Sequence, residues 1–275
     1  MSDVKEVLFT AISADGTPIR CAVEGAGAPL IMIHGTGDTY KGFRRLKEHL
    51  APHFTLYMMD RRGRGISGDG EDAKYKLPRE FEDVAAVIDT LATETGGPVN
   101  VFAHSFGAMC ALEGALLAHN LKRMICYEPS LNRTAADPKR DDTIEKMRRL
   151  IAAGDRDGTV AAHLRGIINT TQEVVEKQRA NTQGWAERMA MAHTMPRELH
   201  ELKSHVFEPE RYSPIAVPVR FLLGEKSSGR GPENAQRLVA TIPGAELVVL
   251  EGQGHFGYLT APELVAAKIV EFLAK

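Results

Sequence analysis

The sequence predicts an α/β fold: an eight-stranded, mostly parallel sheet with helices on both faces. Short, uniformly apolar runs alternate with stretches of helical periodicity, and strands without a polar face are typical of a sheet covered on both sides. At 275 residues the chain is long enough to bury one large core. Between residues 130 and 216 the apolar runs stop and charged helical segments follow one another. We therefore expect a core of residues 1–129 and 217–275 and an inserted helical lid of residues 130–216.

Apolar runs bounded by turn residues predict the strands. In chain order they are residues 4–12, 18–24, 30–33, 54–59, 99–103, 123–127, 219–224 and 246–250. The Asp15-Gly16 pair between the first two runs favours a tight turn, so the chain opens with an antiparallel hairpin. Helical periodicity separates the later runs, as in residues 81–91, where apolar side chains recur on one face. This alternation predicts parallel strands after the hairpin.

Composition excludes several classes of function. With 34 basic and 36 acidic residues and a formal net charge of -2, nothing predicts binding to nucleic acid or to a membrane surface. We identify no signal peptide or membrane span, and the three cysteines lie far apart among apolar neighbours, as reduced buried thiols do. We expect a cytoplasmic protein that acts on a small molecule, and a homodimer is one arrangement that the sequence leaves open.

Residues 103–107, Ala-His-Ser-Phe-Gly, lie where a predicted strand ends and a helical pattern begins. They nearly match G-x-S-x-G, in which a sharp strand-to-helix turn exposes a serine nucleophile. Ala103 replaces the first glycine, and a methyl group is small enough for that position. Ser105 is therefore the predicted nucleophile; the alternative is a serine that only caps the helix.

Other reactive residues follow the carboxyl ends of predicted strands, where ligands bind in open α/β sheets. His34 follows the third strand, Glu128 follows the sixth, and His255 follows the eighth within a glycine-rich loop. A histidine within hydrogen-bonding reach can take the proton of a serine hydroxyl, and its position makes His255 the predicted base. The histidines of the insert have no spacing typical of a zinc site, so we expect no metal and no other cofactor.

Four segments together resemble the α/β-hydrolase fold superfamily: residues 34–37, 60–67 and 103–107, and the pair Gly254-His255. The resemblance extends from the first hairpin to the last helix and implies a serine hydrolase with a helical lid. It implies an oxyanion hole formed by the backbone N–H groups of Thr36 and Phe106. It also implies that residues 60–67 are a structural crossover, in which we expect ion pairs of Arg61 and Arg64.

The position of the catalytic acid departs from the commoner pattern of the superfamily, an aspartate after the seventh strand. Residues 224–229 contain no aspartate, and Glu225 follows Gly224 directly, too early to reach the histidine. In certain haloalkane dehalogenases and lactone hydrolases the acid follows the sixth strand, and Glu128 resembles that arrangement. Glu128 is the predicted acid and Glu225 the alternative.

The predicted lid lies over the strand ends and would set specificity. Trp185 and three nearby methionines offer bulky apolar surface to a substrate; alternatively, they only pack the lid onto the core. With His34, Gly35 and Trp185 as substrate-binding residues, we expect cleavage of a carboxylic ester or lactone of a moderately hydrophobic small molecule through an acyl-enzyme. Amides and thioesters stay open. The alternatives are a cyanohydrin-type lyase that uses the same serine and histidine, and a non-catalytic small-molecule receptor.

Overall fold

An eight-stranded sheet forms the centre of the molecule. The computed structural model describes residues 7–71, 74–131, 137–227 and 231–274. Its strands are β1 (Val7–Ile12), β2 (Pro18–Gly25), β3 (Ala28–Ile33), β4 (Phe54–Met59), β5 (Val99–His104), β6 (Leu121–Tyr127), β7 (Val219–Gly224) and β8 (Glu246–Leu250). Each predicted strand overlaps one of these, and residues 4–6 of the first prediction lie outside the described residues.

The strand order is β1-β2-β4-β3-β5-β6-β7-β8. β2 pairs antiparallel with β1 and with β4, and every other neighbouring pair is parallel. The predicted turn closes the first hairpin, since Gly16 has a φ of +84° and the Thr17 amide donates a 3.0 Å hydrogen bond to Oδ1 of Asp15. Because β3 to β8 run in one direction, their carboxyl ends share one edge of the sheet. The predicted fold class is confirmed.

Helices cover both faces of the sheet. They are α1 (Arg44–Leu50), α2 (Leu77–Thr95), α3 (Phe106–Ala115), α4 (Pro138–Ala152), α5 (Arg156–Gly166), α6 (Gln172–Ala180), α7 (Thr182–Ala190), α8 (Thr194–Leu202), α9 (Gly231–Thr241), α10 (Gly257–Thr260) and α11 (Pro262–Leu273). Apolar side chains of α2, α3 and α9 pack against one face, and those of α1 and α11 pack against the other. Within the described ranges, no helix is both long enough and apolar enough to span a bilayer.

Helices α4 to α8 lie between β6 and β7 and belong to the helical insert, defined here as residues 137–212. Four of them begin at a side chain that accepts a hydrogen bond from a first-turn amide: Asp137, Asp155, Thr171 and Asn181. Each such cap accepts from a backbone N–H that has no acceptor within the helix, and it stabilises the helix by about 1 kcal/mol. The insert also buries an apolar cluster of its own around Val160 and Met195. Capping and this cluster explain why strongly charged segments fold as helices here.

A buried cluster of charges joins the insert to the core. Arg61 and Arg64, in the loop after β4, both pair with Glu198 of α8, and the distance from Nη2 of Arg61 to Oε2 of Glu198 is 2.6 Å. Oε1 of Glu80, on α2, lies 3.5 Å from Arg61 and 3.8 Å from Arg64. These four side chains are at most 1% exposed. The ion pairs expected of this loop are confirmed, and one partner belongs to the insert.

Glu198→Gln is expected to lower the free energy of unfolding by about 3–5 kcal/mol, because it removes a buried anion from between two buried guanidinium groups. Urea denaturation measures this loss. Glu187→Gln is the matched control: Glu187 pairs with Lys41 at 2.7 Å on the exposed side of the insert, and its loss is expected to change stability by about 0–1 kcal/mol. Equally small changes in the two variants would contradict the role of the buried cluster.

Candidate active site

Ser105 lies on a sharp turn between β5 and α3, at the carboxyl edge of the sheet. Its φ of +56° and ψ of -121° give a non-glycine residue a conformation that costs of the order of 1–3 kcal/mol and that is found mainly at functional sites. Two glycines make room for the turn. A Cβ on Gly107 would lie 2.3 Å from the carbonyl oxygen of His34, and one on Gly35 would lie 3.0 Å from Cβ of Ser105. The loop after β3 and the N-terminus of α3 therefore meet beside the serine.

Three side chains from distant parts of the chain form a continuous series of hydrogen bonds at this turn. Oγ of Ser105 is 3.0 Å from Nε2 of His255, and Nδ1 of His255 is 2.7 Å from Oε2 of Glu128. With a neutral imidazole protonated at Nδ1, the serine hydroxyl donates to Nε2 and Nδ1–H donates to the carboxylate. In this arrangement the histidine can accept the serine proton while the carboxylate fixes its tautomer.

Two further donors hold the Glu128 carboxylate. Its Oε1 accepts a 2.8 Å hydrogen bond from the Gly224 backbone N–H and another from the Ser227 hydroxyl. Burial alone would raise the pKa of Glu128, but the hydrogen bonds from His255, Ser227 and Gly224 hold the pKa below its usual value. The carboxylate therefore stays ionised beside the imidazole at neutral pH.

Glu225, the alternative acid, contacts a different group. Its Oε2 accepts a 2.8 Å hydrogen bond from the backbone N–H of Gly252, and the side chain is exposed. This contact holds the backbone at the start of the loop that carries His255. It does not orient the imidazole. Of the two carboxylates, Glu128 is the one that contacts His255.

Two other side chains anchor the His255 loop, and neither is apparent from the sequence pattern. Nε2–H of His104 donates a 2.8 Å hydrogen bond to the backbone carbonyl of His255. The Tyr127 hydroxyl donates to the carbonyl of Gly254 and accepts a 3.1 Å hydrogen bond from the Gly257 amide. Burial lowers the pKa of His104 well below its usual value, so its ring is neutral. Only their places in the sequence could have indicated these two residues, since His104 and Tyr127 end β5 and β6, directly before Ser105 and Glu128.

The amides expected in the oxyanion hole belong to Thr36 and Phe106. Phe106 is the first residue of α3, and the N–H groups of a first turn have no acceptor within their helix. Thr36 follows Gly35 in the loop beside Ser105, and both Thr36 and Phe106 line the same cavity as Ser105. A second hydroxyl is also close, with Oγ of Ser130 3.2 Å from Oγ of Ser105.

His34 and Gly35 were both expected to bind substrate, but only one of them faces the cavity. Gly35 lines the cavity, whereas the ring of His34 is 1% exposed and lies on the buried side of the loop. Nδ1–H of His34 donates a 2.9 Å hydrogen bond to the Gly35 carbonyl, and Nε2 accepts from the Arg61 amide at 3.3 Å. Burial, with the nearby Arg61 charge, lowers the pKa of His34 well below its usual value, so the ring is neutral. This corrects the expectation for His34, which supports the loop instead of facing a substrate.

A cavity of about 650 Å³ lies over Ser105, between the sheet edge and the helical insert. Its insert-side wall includes Arg140, His163 and Arg188. Trp185 is not part of this lining: it is 4% exposed, packs in the apolar cluster of the insert, and donates from Nε1 to Asp157 at 2.8 Å. This corrects the expectation of a substrate contact, since the tryptophan stabilises the insert itself. Across the part of the chain that the structure describes, no cluster of histidine, cysteine and acidic side chains is arranged to hold a metal ion.

Comparisons with known proteins agree with this fold. A family model described as the alpha/beta hydrolase family matches residues 30–268. The (E)-2-((N-methylformamido)methylene)succinate hydrolase of Acinetobacter baylyi is 25% identical over 245 residues, which cover 88% of this chain and 89% of that protein. The 2-(acetamidomethylene)succinate hydrolase of Mesorhizobium japonicum is 24% identical over 265 residues, covering 91% of this chain and 89% of that protein.

Among solved structures, an alpha/beta hydrolase from Sphaerobacter thermophilus is similar over almost the whole chain. The TM-score is 0.80 at 34% sequence identity, and the match covers 96% of this chain and 100% of that one. The resemblance inferred from the sequence motifs is confirmed. The chain belongs to the alpha/beta hydrolase family.

Proposed function

We propose that the protein is a cofactor-independent serine hydrolase that cleaves a carboxylic ester or lactone through an acyl-enzyme. The observation that carries this proposal is the series of hydrogen bonds from Ser105 through His255 to Glu128, with separations of 3.0 and 2.7 Å. A serine hydroxyl alone is a weak nucleophile at neutral pH, and these contacts supply the base and the oriented carboxylate that activate it.

In the first half of the reaction, Oγ of Ser105 attacks the substrate carbonyl while Nε2 of His255 takes the hydroxyl proton. The Glu128 carboxylate accepts from Nδ1–H and stabilises the imidazolium without taking its proton. The amides of Thr36 and Phe106 donate to the carbonyl oxygen as it becomes negative. Nε2 then gives its proton to the leaving alkoxide, and the acyl group stays on Ser105.

In the second half, water attacks the acyl-enzyme. His255 takes a proton from the water molecule as its oxygen adds to the acyl carbonyl, and the same proton returns to Oγ of Ser105 when the carboxylic acid leaves. With a lactone, the alkoxide of the first half remains attached to the acyl group, so the product is one hydroxy acid. These steps use three side chains, two backbone N–H groups and water.

The cavity favours a small molecule of mixed polarity as substrate. Its volume of about 650 Å³ is within the range of small-molecule sites. Leu164, Ile167 and Leu202 contribute apolar wall from the insert, so the insert acts as a lid that sets specificity. An amide is the second candidate, because the two curated relatives act, by name, on an N-methylformamido and an acetamido compound.

We infer that the protein acts in the cytoplasm. Cys21, Cys110 and Cys126 are all unpaired and buried. Burial raises the pKa of each of these thiols, which makes them unreactive. Reduced, buried thiols of this kind are typical of a reducing compartment.

A substrate panel tests the proposed function. The purified protein is expected to hydrolyse p-nitrophenyl esters of short acyl chains, aryl esters or lactones, with a simple aryl amide as the comparison for the second candidate. Cleavage of a cyanohydrin without hydrolysis of any ester would support the lyase alternative. Tight binding of an apolar ligand with no turnover of an activated ester would support a receptor.

A further inference from the structure

We propose that His163 and Arg188 form a carboxylate-binding subsite in the cavity over Ser105. The substrate is then an ester, lactone or amide that also carries a free carboxylate. This inference rests on the proposed function, because it assigns the substrate class of the same site.

His163 is a buried polar side chain with unused hydrogen-bonding capacity. It lies on α5, is 2% exposed and lines the cavity. Neither Nδ1 nor Nε2 has a hydrogen-bond partner among the described residues, although a neutral imidazole has one N–H donor and one acceptor. Buried polar atoms are nearly always paired, so an unpartnered imidazole facing a cavity indicates that a ligand supplies the partner.

Arg188 brings a positive charge to the same wall. It lies on α7, and one Nη1–H donates a 3.0 Å hydrogen bond to the Gly37 carbonyl. Within the described ranges, no Asp or Glu oxygen lies within 4.0 Å of its guanidinium nitrogens. Its remaining N–H groups can therefore donate to a ligand, and a guanidinium matches a carboxylate with two parallel hydrogen bonds.

The other charges around the cavity also favour an anion. Arg140 is a second guanidinium in its wall, and Asp38 is an acidic side chain on the opposite, core side. Burial raises the pKa of Asp38, while hydrogen bonds from Thr39 and Tyr258 and the charge of Arg188 oppose that rise. The two guanidinium groups of the lining outnumber this one carboxylate. Burial, with the charges of Arg188 and Arg140, lowers the pKa of His163 to about 3, so its ring is neutral and offers one N–H donor. The wall thus combines positive charge with a neutral donor.

The subsite lies next to the reacting centre. A Cβ on Gly37 would lie 2.8 Å from Cε1 of His163, so the imidazole packs directly against this glycine. Gly37 is two residues after Gly35, where a Cβ would lie 3.0 Å from Cβ of Ser105, and two residues span at most about 7 Å. A carboxylate bound by His163 and Arg188 would therefore lie in the same cavity as the scissile carbonyl, on the side of Gly37.

Pairs of isosteric substrates test the subsite. Methyl hydrogen succinate is compared with methyl succinamate, and methyl hydrogen glutarate with methyl glutaramate, so that each pair differs only by a carboxylate against a primary amide. We expect kcat/KM to be about 10- to 100-fold higher for the acid of at least one pair. Arg188→Gln and His163→Leu are each expected to lower kcat/KM for that acid, mainly through KM, by about tenfold or more beyond any loss for the paired amide.

Arg165→Gln is the matched control, because Arg165 is an exposed arginine on the same helix as His163. This variant is expected to leave kcat/KM unchanged for both substrates of a pair. Equal kcat/KM for acid and amide in the wild type, or equal losses for both in Arg188→Gln and His163→Leu, would overturn the subsite and leave the hydrolase proposal standing.

Binding of glutarate and succinate, measured by calorimetry on the wild type and the two variants, separates the two proposals. If no ester is hydrolysed, dicarboxylate binding that both variants weaken by about tenfold would support the subsite while the hydrolase proposal fails. If neither dicarboxylate binds and no acid ester is preferred, the subsite is overturned.

Discussion

Ser105→Ala is expected to lower kcat by about 10⁴-fold or more for every ester that the wild type hydrolyses, because the change removes the attacking Oγ that His255 activates. Labelling by a fluorophosphonate should be lost as well. The melting temperature should stay close to that of the wild type, since the change removes one oxygen from the edge of the cavity. Steady-state kinetics and gel-based labelling measure the two losses.

Ser130→Ala is the matched control for this variant. Its hydroxyl lies 3.2 Å from Oγ of Ser105, whereas Nε2 of His255 is within hydrogen-bonding distance of Ser105. We expect it to keep fluorophosphonate labelling and to lose less than about tenfold in kcat, a change of less than about 1.4 kcal/mol in the activation barrier. Retained labelling of Ser105→Ala would mean that another residue is the nucleophile.

Glu128→Gln is expected to lower kcat by about 10²- to 10⁴-fold, because an amide carries no charge to stabilise the imidazolium and can present an N–H toward Nδ1, which favours the wrong tautomer. The Ser227 and Gly224 donors to Oε1 remain in place, so the local fold should be kept. Glu225→Gln has the same chemical change one strand away and is expected to stay within about threefold of the wild type. Equal, small losses of kcat in the two variants would refute Glu128 as the acid.

The fold and the three reacting side chains can be predicted from the sequence because each depends on local patterns and on topology. Uniform apolar runs define the strands, and parallel strands bring their carboxyl ends to one edge. Ser105, Glu128 and His255 each follow a strand closely, so their proximity could be expected before any distance was measured. Small residues at 103 and 107 also predicted the sharp turn at the serine.

The insert-side wall of the cavity cannot be predicted from such local patterns. How the insert docks on the core depends on buried contacts such as that of Arg64 with Glu198 of α8, which join residues far apart in the sequence. His163 and Arg188 have the residue types of ordinary charged helices, so nothing local distinguishes them. Trp185 suggested a ligand contact because it is large and apolar, yet a side chain of this kind is equally suited to the apolar core of the insert, where it packs.

His34 shows the limit of the strand-end rule for single residues. It follows β3 as expected, but the chain turns at Gly35, and the imidazole lies on the buried side, where it pairs with backbone groups of Gly35 and Arg61. Which side of a loop a side chain takes depends on the turn angles of the loop. Hydropathy does not encode those angles.

Intact-mass spectrometry of the wild-type protein, quenched in acid during turnover of p-nitrophenyl acetate, tests the reaction through Ser105 most directly. We expect a species heavier than the free protein by one acetyl group, with peptide mapping that assigns the group to Ser105 and no such species in Ser105→Ala. Turnover that proceeds equally fast without the Ser105 hydroxyl, or an acetyl group mapped to a different residue, would contradict the proposed mechanism.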